Sequence, residues 1–427
     1  MGTGPGTGGT PRRAGINIRN IRNLRTFLAF KNPVYRLYYG GMLGQMASMN
    51  MQMVARSYLI YRITGSATVL GAMNLANAIP MLCLSLFGGA IADQVQKKYV
   101  LLAGQAVSAV LSLGVALALT FDYLSAENTG SWWVLIVTAL FQGAVMGLMM
   151  PSRQAIISEI VGEQQLMNAI SLNTMGMNTL QIIAPAVTGF LIDAAGFEAA
   201  YYSMTGMYLV SVTFFYFMPL TSRMTIRGGG ALSNIKGGIK YLRGESIILM
   251  VLLISLFMVL LSMPYSMLMP VFAEDILKVG ASGMGILMSV SGVGAIVGSI
   301  TLASLPNRKR GVMLLGSGIL LGLALTGFSF SKSWPLSLGM IVFVGLGQTG
   351  RMTLSNTLVQ YYVNSEYLGR VMSIFMMQFG LTSFGTFLAG VLSDAIGAER
   401  ALGGFAIALI VFSLVAIIFF KRIRQLE

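Results

Sequence analysis

The chain has 427 residues, of which 55% are hydrophobic and only 10% are charged. Soluble domains carry about 25% charged residues, so a water-soluble surface is excluded and most of the surface must face lipid. Histidine is absent and cysteine occurs once, which excludes an internal disulfide and removes the commonest metal ligand. The net charge of +14 would suit nucleic acid, but the placement of the charges argues against that partner.

The first 30 residues are rich in Gly, Thr and Arg and contain no apolar core. We therefore predict a flexible basic cytoplasmic tail here rather than a signal peptide. Beyond it, apolar segments recur whose length of about 20 residues suits a helix that crosses a bilayer. They predict twelve spans, numbered in chain order: 36–61, 67–92, 99–121, 131–156, 167–193, 199–220, 247–273, 282–304, 311–330, 334–361, 368–395 and 400–420.

The longest polar stretch inside the chain, 221–246, divides these spans into two groups of six. We predict that it is a central cytoplasmic loop between an N-terminal six-helix bundle, 31–220, and a C-terminal six-helix bundle, 247–420. Residues 421–427 would form a second cytoplasmic tail. The predicted fold is an all-α integral membrane protein with twelve transmembrane helices, working as a monomer.

Lysine and arginine placement orients the spans, because loops rich in these residues stay on the cytoplasmic side. With the N-terminus inside, 22 of the 28 basic residues lie inside, four lie outside, and Arg56 and Arg351 lie within spans. The opposite orientation would put only four inside. We therefore predict that both termini are cytoplasmic and that the basic loops also attract anionic lipid of the inner leaflet.

Two segments of twelve residues repeat at an offset of 201. "GFLIDAAGFEAA" (189–200) and "GVLSDAIGAERA" (390–401) end spans 5 and 11, with Gly, Asp and Gly at equal positions. Spans 2 and 8 have a similar sequence pattern when Gly71 is aligned with Gly285. Parallel six-span repeats related by an axis along the membrane normal are typical of secondary transporters, whose substrate site lies between the halves.

The loop after span 2 resembles the Gly-x3-Asp-x3-basic signature of the major facilitator superfamily. The matching residues are Gly89, Asp93, Lys97 and Lys98. Gln94 and Gln96 depart from the signature, since Arg and Gly are usual there. The resemblance covers nearly the whole chain, and the runs at 58–80 and 150–161 resemble the branch that holds the enterobactin exporter and macrolide efflux proteins.

This resemblance implies a conformational latch on the cytoplasmic side. The carboxylate of Asp93 would meet the amino end of span 11 near Gly369 and Arg370, cap free N–H groups there and favour an outward-open state. The alternative is a solvated loop aspartate. Because Gln94 lacks the charge that the family usually places there, the latch would be weaker in this chain.

Span 5 resembles the Gly-x8-Gly-Pro-x3-Gly element of drug exporters. This chain keeps Gly176, Pro185 and Gly189, while Ala184 replaces the glycine before the proline. The element favours export as the direction of transport.

Polar residues inside the spans are candidates for a substrate cavity. Arg351 lies about 25 Å from Trp334 along span 10, and so deep a charge either faces a cavity or bonds to carbonyls of a neighbouring helix. Arg56 lies about 9 Å deeper than Arg62, so snorkelling is its alternative role. The uncharged candidates, each of which could instead join helices, are Gln45, Asn50, Gln52, Gln142, Gln348, Asn356 and Gln378.

No carboxylate lies at mid-membrane depth in the predicted spans, although a proton antiporter generally needs a buried acid. The candidate proton carriers are therefore acids at span ends: Asp93, Asp193, Asp275 and Asp394. Turn capping is the alternative role for the outer acids. If none of them carries a proton, the arginines would act instead by binding an anionic substrate.

The sequence contains no pattern of an enzyme. It lacks histidine, a phosphate-cradling Gly-Lys-Ser/Thr loop and a metal-ligand cluster, so we predict no catalytic residue, cofactor or metal. We predict a carrier of the prokaryotic inner membrane that exports an amphiphilic small molecule, drug-like or siderophore-like, with the proton as coupling ion. The alternatives are a lysophospholipid or lipid translocator, and a membrane receptor or scaffold that binds without transport.

Overall fold

The structure is a computed structural model that describes residues 25–125, 127–128, 130–220, 241–305, 308–364 and 366–426. For residues 25–26, 86–94 and 421 it describes only the backbone, and the described chain contains no strand. The helices are α1 (Pro33–Thr64), α2 (Ala67–Gln94), α3 (Lys97–Thr120), α4 (Trp133–Ile160), α5 (Glu163–Phe217), α6 (Ser246–Ser262), α7 (Pro264–Val271), α8 (Gly280–Ser304), α9 (Arg310–Ser329), α10 (Trp334–Tyr362), α11 (Leu368–Ile396), α12 (Ala398–Phe419) and α13 (Lys421–Arg424).

These helices correspond to the twelve predicted spans. Helices α1–α4 carry spans 1–4, α5 carries spans 5 and 6, α6 and α7 with the π turn Phe272–Ile276 carry span 7, and α8–α12 carry spans 8–12. Nine helical segments of the described chain are long and apolar enough to cross a membrane. Helices α1, with 32 residues, and α10, with 29 residues, are also long enough to cross a membrane, but they contain more polar side chains than the nine segments. The predicted all-α fold with twelve transmembrane helices is confirmed.

Local sequence determines where α1 begins and ends. The Asn32 side chain accepts hydrogen bonds from the N–H groups of Val34 and Tyr35, and proline occupies the first helical position. At the other end Gly65 adopts a φ of 60°, and its N–H donates to the Tyr61 carbonyl at 2.7 Å. Glycine tolerates this left-handed cap, so the chain turns directly into α2.

The sequence repeat is also a structural repeat. Gly196 and Gly397, which are 201 residues apart, have φ values of 84° and 91°. Gly196 bends α5 between spans 5 and 6, and Gly397 separates α11 from α12. Both φ values lie in a region that glycine adopts without steric cost, so each half turns at the same place.

Each half is a bundle, and the two bundles meet through two pairs of spans. Span 5 packs against span 8, and span 2 packs against span 11. Inside the halves, glycines allow close packing: a Cβ at Gly143 would overlap the Asn77 carbonyl, and one at Gly345 would overlap the Ser291 carbonyl. Small residues at such crossings are what helices in lipid need to approach each other closely.

The predicted tails and central loop are described only in part. Residues 25–31 form a short 3-10 helix, and the side chain of Tyr241 stacks on Tyr367 with ring centroids 4.3 Å apart. Residues 1–24 and 221–240 lie outside the described residues. The domain boundaries therefore stay a prediction.

Candidate functional site

The two halves meet closely at one end of the bundle. We call this end, which holds Gly65, Asp193, Asp275 and Asp394, the outer end, following the predicted orientation. Four glycines bring the paired spans into backbone contact there, because a Cβ on any of them would overlap an atom of the other half. The pairs are Gly71 with Phe387, Gly390 with Ala67, Gly285 with Pro185, and Gly189 with Ala281.

Aspartates exchange helix caps between the halves at the outer end. Asp394, on span 11, accepts the N–H groups of Ala67 and Thr68 at the start of span 2, each at 2.9 Å. Asp193, on span 5, accepts the N–H of Ser282 at the start of span 8 at 2.8 Å. A carboxylate in this position satisfies free donors and interacts favourably with the helix dipole. Each half therefore caps a helix of the other.

Span 1 contacts span 7 through two tyrosines. The Tyr58 hydroxyl donates to the Glu274 carboxylate, and the Tyr61 hydroxyl donates to the Asp275 carboxylate. Both acids belong to the π turn that ends span 7. Sequence reasoning missed the tyrosines, although their one-turn spacing near the end of span 1 and the paired acids at the end of span 7 were a usable signal.

Asp275 and Asp394 line a cavity at the outer end. Its volume is about 580 Å³, and its lining includes Tyr61, Asp275, Asp394 and Arg400. Asp275 is also exposed. Two of the predicted proton carriers, Asp275 and Asp394, are therefore within reach of the solution on the outer side. Both also hydrogen-bond to the opposite half.

The predicted latch lies at the other end of the bundle. Gly369 is exposed, and a Cβ added there would have no neighbour within 4 Å. The guanidinium of Arg370 lies 5.3 Å from the ring centroid of Tyr367. The side-chain surroundings of Gly89 and Asp93 lie outside the described residues, so the latch stays a prediction.

The two lysines of the predicted latch, Lys97 and Lys98, bond within the N-terminal half. Lys97 Nζ forms an ion pair with Glu159 on span 4 at 2.5 Å. Lys98 Nζ donates to the Tyr216 carbonyl at the end of span 6 at 2.7 Å. In this conformation both lysines hold the inner ends of their own bundle together.

The span 5 element is divided between two contacts. Gly176 packs within the N-terminal half, where an added Cβ would lie 2.7 Å from the Tyr39 hydroxyl oxygen. Pro185 and Gly189 instead contact span 8 of the other half. The exporter-like residues nearest the outer end therefore belong to the interface between the halves.

Both intramembrane arginines lie inside a half. Arg351 is 2% exposed and lies beside Tyr265 in the C-terminal half, and its Nε has no acceptor among the described residues. Arg56 lies near Tyr201 and Tyr208 of span 6, with Nε and Nη1 buried and likewise unpaired. Leaving a buried guanidinium atom unpaired costs free energy, which makes both positions unusual.

Three of the predicted cavity amides hydrogen-bond across helices of their own half. The pairs are Gln52 with Tyr208 at 3.5 Å, Gln142 with Ser108 at 3.3 Å, and Gln378 with Ser255 at 2.9 Å. Gln45 is buried, and its Oε1 has no partner in the described chain. Asn50, Gln348 and Asn356 are partly exposed on spans 1 and 10. These last three keep part of their surface accessible, and their place in a substrate cavity stays a prediction.

Comparison with known proteins identifies the fold and the family. The family model of the Major Facilitator Superfamily matches residues 38–384. Among solved structures, nucleoside transporter NupG superposes with a TM-score of 0.73 at 12% identity, covering 91% of this chain and 100% of that one. A bacterial homolog of the human lysosomal transporter Spinster, inward-facing, gives a TM-score of 0.70 at 14% identity, covering 92% and 97%.

Related sequences are transporters along nearly their whole length. The staphyloferrin A transporter of Staphylococcus aureus is 23% identical over 90% of this chain and 94% of that protein. The multidrug efflux pump Tap of Mycolicibacterium fortuitum is 24% identical, covering 89% and 94%. The enterobactin exporter EntS of Escherichia coli is 23% identical, covering 91% and 87%. The fold and these relatives are those of transporters and not of enzymes, and the chain belongs to the Major Facilitator Superfamily.

Proposed function

We propose that this protein exports an amphiphilic small molecule from the cytoplasm by alternating access between its halves. The observation that carries the proposal is the position of the exporter-like residues Pro185 and Gly189, which contact span 8 directly. An element at this interface takes part in every opening and closing of the outer end. Relatives named for siderophore transport, multidrug efflux and enterobactin export support the same direction and substrate class.

The outer contacts suit a reversible closure. They consist of helix caps, tyrosine hydroxyls and glycine crossings, and all of them join one half to the other. Hydrogen bonds of this kind each contribute about 1 kcal/mol, so a small number can be exchanged for water when the halves rock apart. Carriers of this repeat type work largely by such rigid-body rocking around a central site.

We propose that protons drive the cycle through the outer acids. In the closed outer end Tyr58 donates to Glu274 and lies within electrostatic range of Asp193. Tyr61 donates to Asp275 and lies within range of Asp394. The four acids therefore gather around two tyrosines at the contact that breaks when the halves rock apart. Opening of the outer end would expose these acids to the outer solution, where they would exchange the protons that an antiporter needs.

Flux through purified protein in liposomes tests the proposal. We expect fluorescent amphiphiles to cross faster than in protein-free liposomes, and an imposed pH gradient to accelerate transport toward the acidic side. Asp275→Asn should keep downhill flux and lose part of the pH response. Counterflow with accumulation only toward the cytoplasmic face would contradict export.

The same assay separates the alternatives. Transfer of labelled lysophospholipid across the bilayer, with amphiphiles left behind, would favour a lipid translocator. Saturable binding of an amphiphile without any flux would favour a receptor or scaffold. A carrier that exports amphiphiles moves them across the liposome membrane both without a pH gradient and with an imposed one.

A further inference from the structure

A second cavity lies at the inner end of the C-terminal half, away from the outer contacts. Its volume is about 260 Å³, and it lies between spans 8 and 9 with span 10 behind it. The lining combines hydroxyl groups with apolar side chains. The hydroxyl residues are Ser299, Thr353 and Thr357, and the apolar ones include Leu302, Leu305 and Met313.

Arg310 provides the charge of this cavity. Its guanidinium lies 5.6 Å from the ring centroid of Tyr361 and forms no ion pair with any carboxylate among the described residues. Residues 280–304, 310–329 and 334–362, which form the three surrounding spans, contain no Asp or Glu. Within the part of the chain that the structure describes, the guanidinium in this partly enclosed cavity thus has no acidic side chain beside it on the three surrounding spans.

We propose that this cavity binds the headgroup of an anionic phospholipid from the cytoplasmic leaflet. Arg310 would hold the phosphate, since a guanidinium fork matches phosphate oxygens, and Thr353 and Thr357 would bond the glycerol oxygens. The acyl chains would follow the exposed apolar residues Val297 and Ile300 of span 8. This binding is independent of the proposed export and of the substrate.

The basic loop and the apolar lining favour a lipid over a soluble anion. Exposed Arg308 and Lys309 directly precede Arg310, and the basic loop is predicted to face the cytoplasm, where anionic lipid is attracted to such residues. A soluble phosphate would meet the guanidinium but would gain nothing from the apolar lining. An amphiphile uses both parts of the cavity.

Lipid affinity of the full-length purified protein tests the site. Native mass spectrometry and thermal unfolding would compare phosphatidylglycerol with phosphatidylcholine added to the detergent-solubilised chain. We expect preferential retention of, and stabilisation by, phosphatidylglycerol, and a loss of affinity of about tenfold in Arg310→Gln with partial rescue in Arg310→Lys. The matched control is Arg308→Gln, which removes the same charge from an exposed neighbouring position.

Three outcomes would overturn the assignment. Equal losses in Arg308→Gln and Arg310→Gln would indicate unspecific attraction to a basic surface. Equal effects of the two phospholipids would exclude a preference for the anionic headgroup, and competition by glycerol 1-phosphate at the concentration of the lipid would indicate a site for a soluble anion. If Arg310→Gln fails to fold, Ala303→Phe fills the cavity without changing charge and should weaken phosphatidylglycerol binding in the same way.

Discussion

The side chains of two aspartates, Asp193 and Asp394, favour the closed outer end. Each accepts backbone N–H groups from a span of the opposite half. A carboxylate cap of this kind contributes about 1 kcal/mol, and an exposed one contributes less. Because the donors belong to the other half, this free energy stabilises one conformation of the carrier and not the fold of either bundle.

We expect the double variant Asp193→Ala, Asp394→Ala to shift the population toward the outward-open state by about tenfold. Spin labels at Asp122 and Lys332, in a Cys83→Ser background, report the distance between the outer loops of the two halves. Glu127→Ala is the control, since it removes an exposed acid of an outer loop. An unchanged distance distribution would show that the caps do not bias the conformational equilibrium.

Replacement of Arg351 separates a role in stability from a role in transport. The Arg351 guanidinium is buried and its Nε has no partner among the described residues, which destabilises the protein, and an apolar side chain of similar length would not carry that cost. We expect Arg351→Met to unfold at an equal or higher temperature and to transport anionic amphiphiles at least about tenfold more slowly. Arg62→Met, at an exposed outer position, should alter neither property, and undiminished transport in Arg351→Met would assign the arginine a purely structural role.

At the scale of helices, glycines determine how closely the halves approach. A Cβ at Gly285 would overlap the Pro185 carbonyl of the other half, whereas a Cβ at Gly143 would overlap Asn77 of the same half. We expect Gly285→Ala to leave the melting temperature nearly unchanged, to disfavour outer closure and to slow transport. Gly143→Ala should instead lower the melting temperature, because spans 2 and 4 of the same bundle would have to move apart.

The control for this pair is Gly316→Ala, since no atom would lie within 4 Å of the added Cβ. Melting temperature, transport rate and the distance between the outer loops would be measured for all three variants. A lowered melting temperature with an unchanged distance between the outer loops in Gly285→Ala would contradict this prediction. It would show that Gly285 serves the packing of the fold and not the closure of the outer end.

Span positions were predictable from the sequence, but helix rotation was not. Hydropathy predicted the ends of the spans because it is a local property, and the structure turns the chain at Gly65 and Gly196 between predicted spans. For Gln52 and Gln142 the sequence left open a cavity role or a helix-joining role, and the structure hydrogen-bonds both to neighbours in their own half. In lipid, the outward face of a helix is as apolar as its packed face, so no polar stripe reveals the rotation and tertiary contacts decide it.

The orientation of the whole molecule follows from the basic loops and can be measured directly. In a Cys83→Ser background, Lys332→Cys and Lys278→Cys should react with a membrane-impermeant maleimide added to intact cells. Arg308→Cys should react only after permeabilisation, because the positive-inside rule keeps its loop in the cytoplasm. The reverse pattern would show that the end of the bundle that holds Asp193, Asp275 and Asp394 faces the cytoplasm.

The exchanged caps also bear on how a twelve-span chain of this kind can arise. A six-span protein with one aspartate at the end of span 5 and one uncapped start of span 2 is complementary to a second copy of itself. Two copies related by a two-fold axis would each give and receive the same contact, which closes the assembly as an isologous dimer. Gene fusion of such a dimer would keep Asp193 and Asp394 as the two copies of one ancestral interface residue, while the remaining positions were free to diverge.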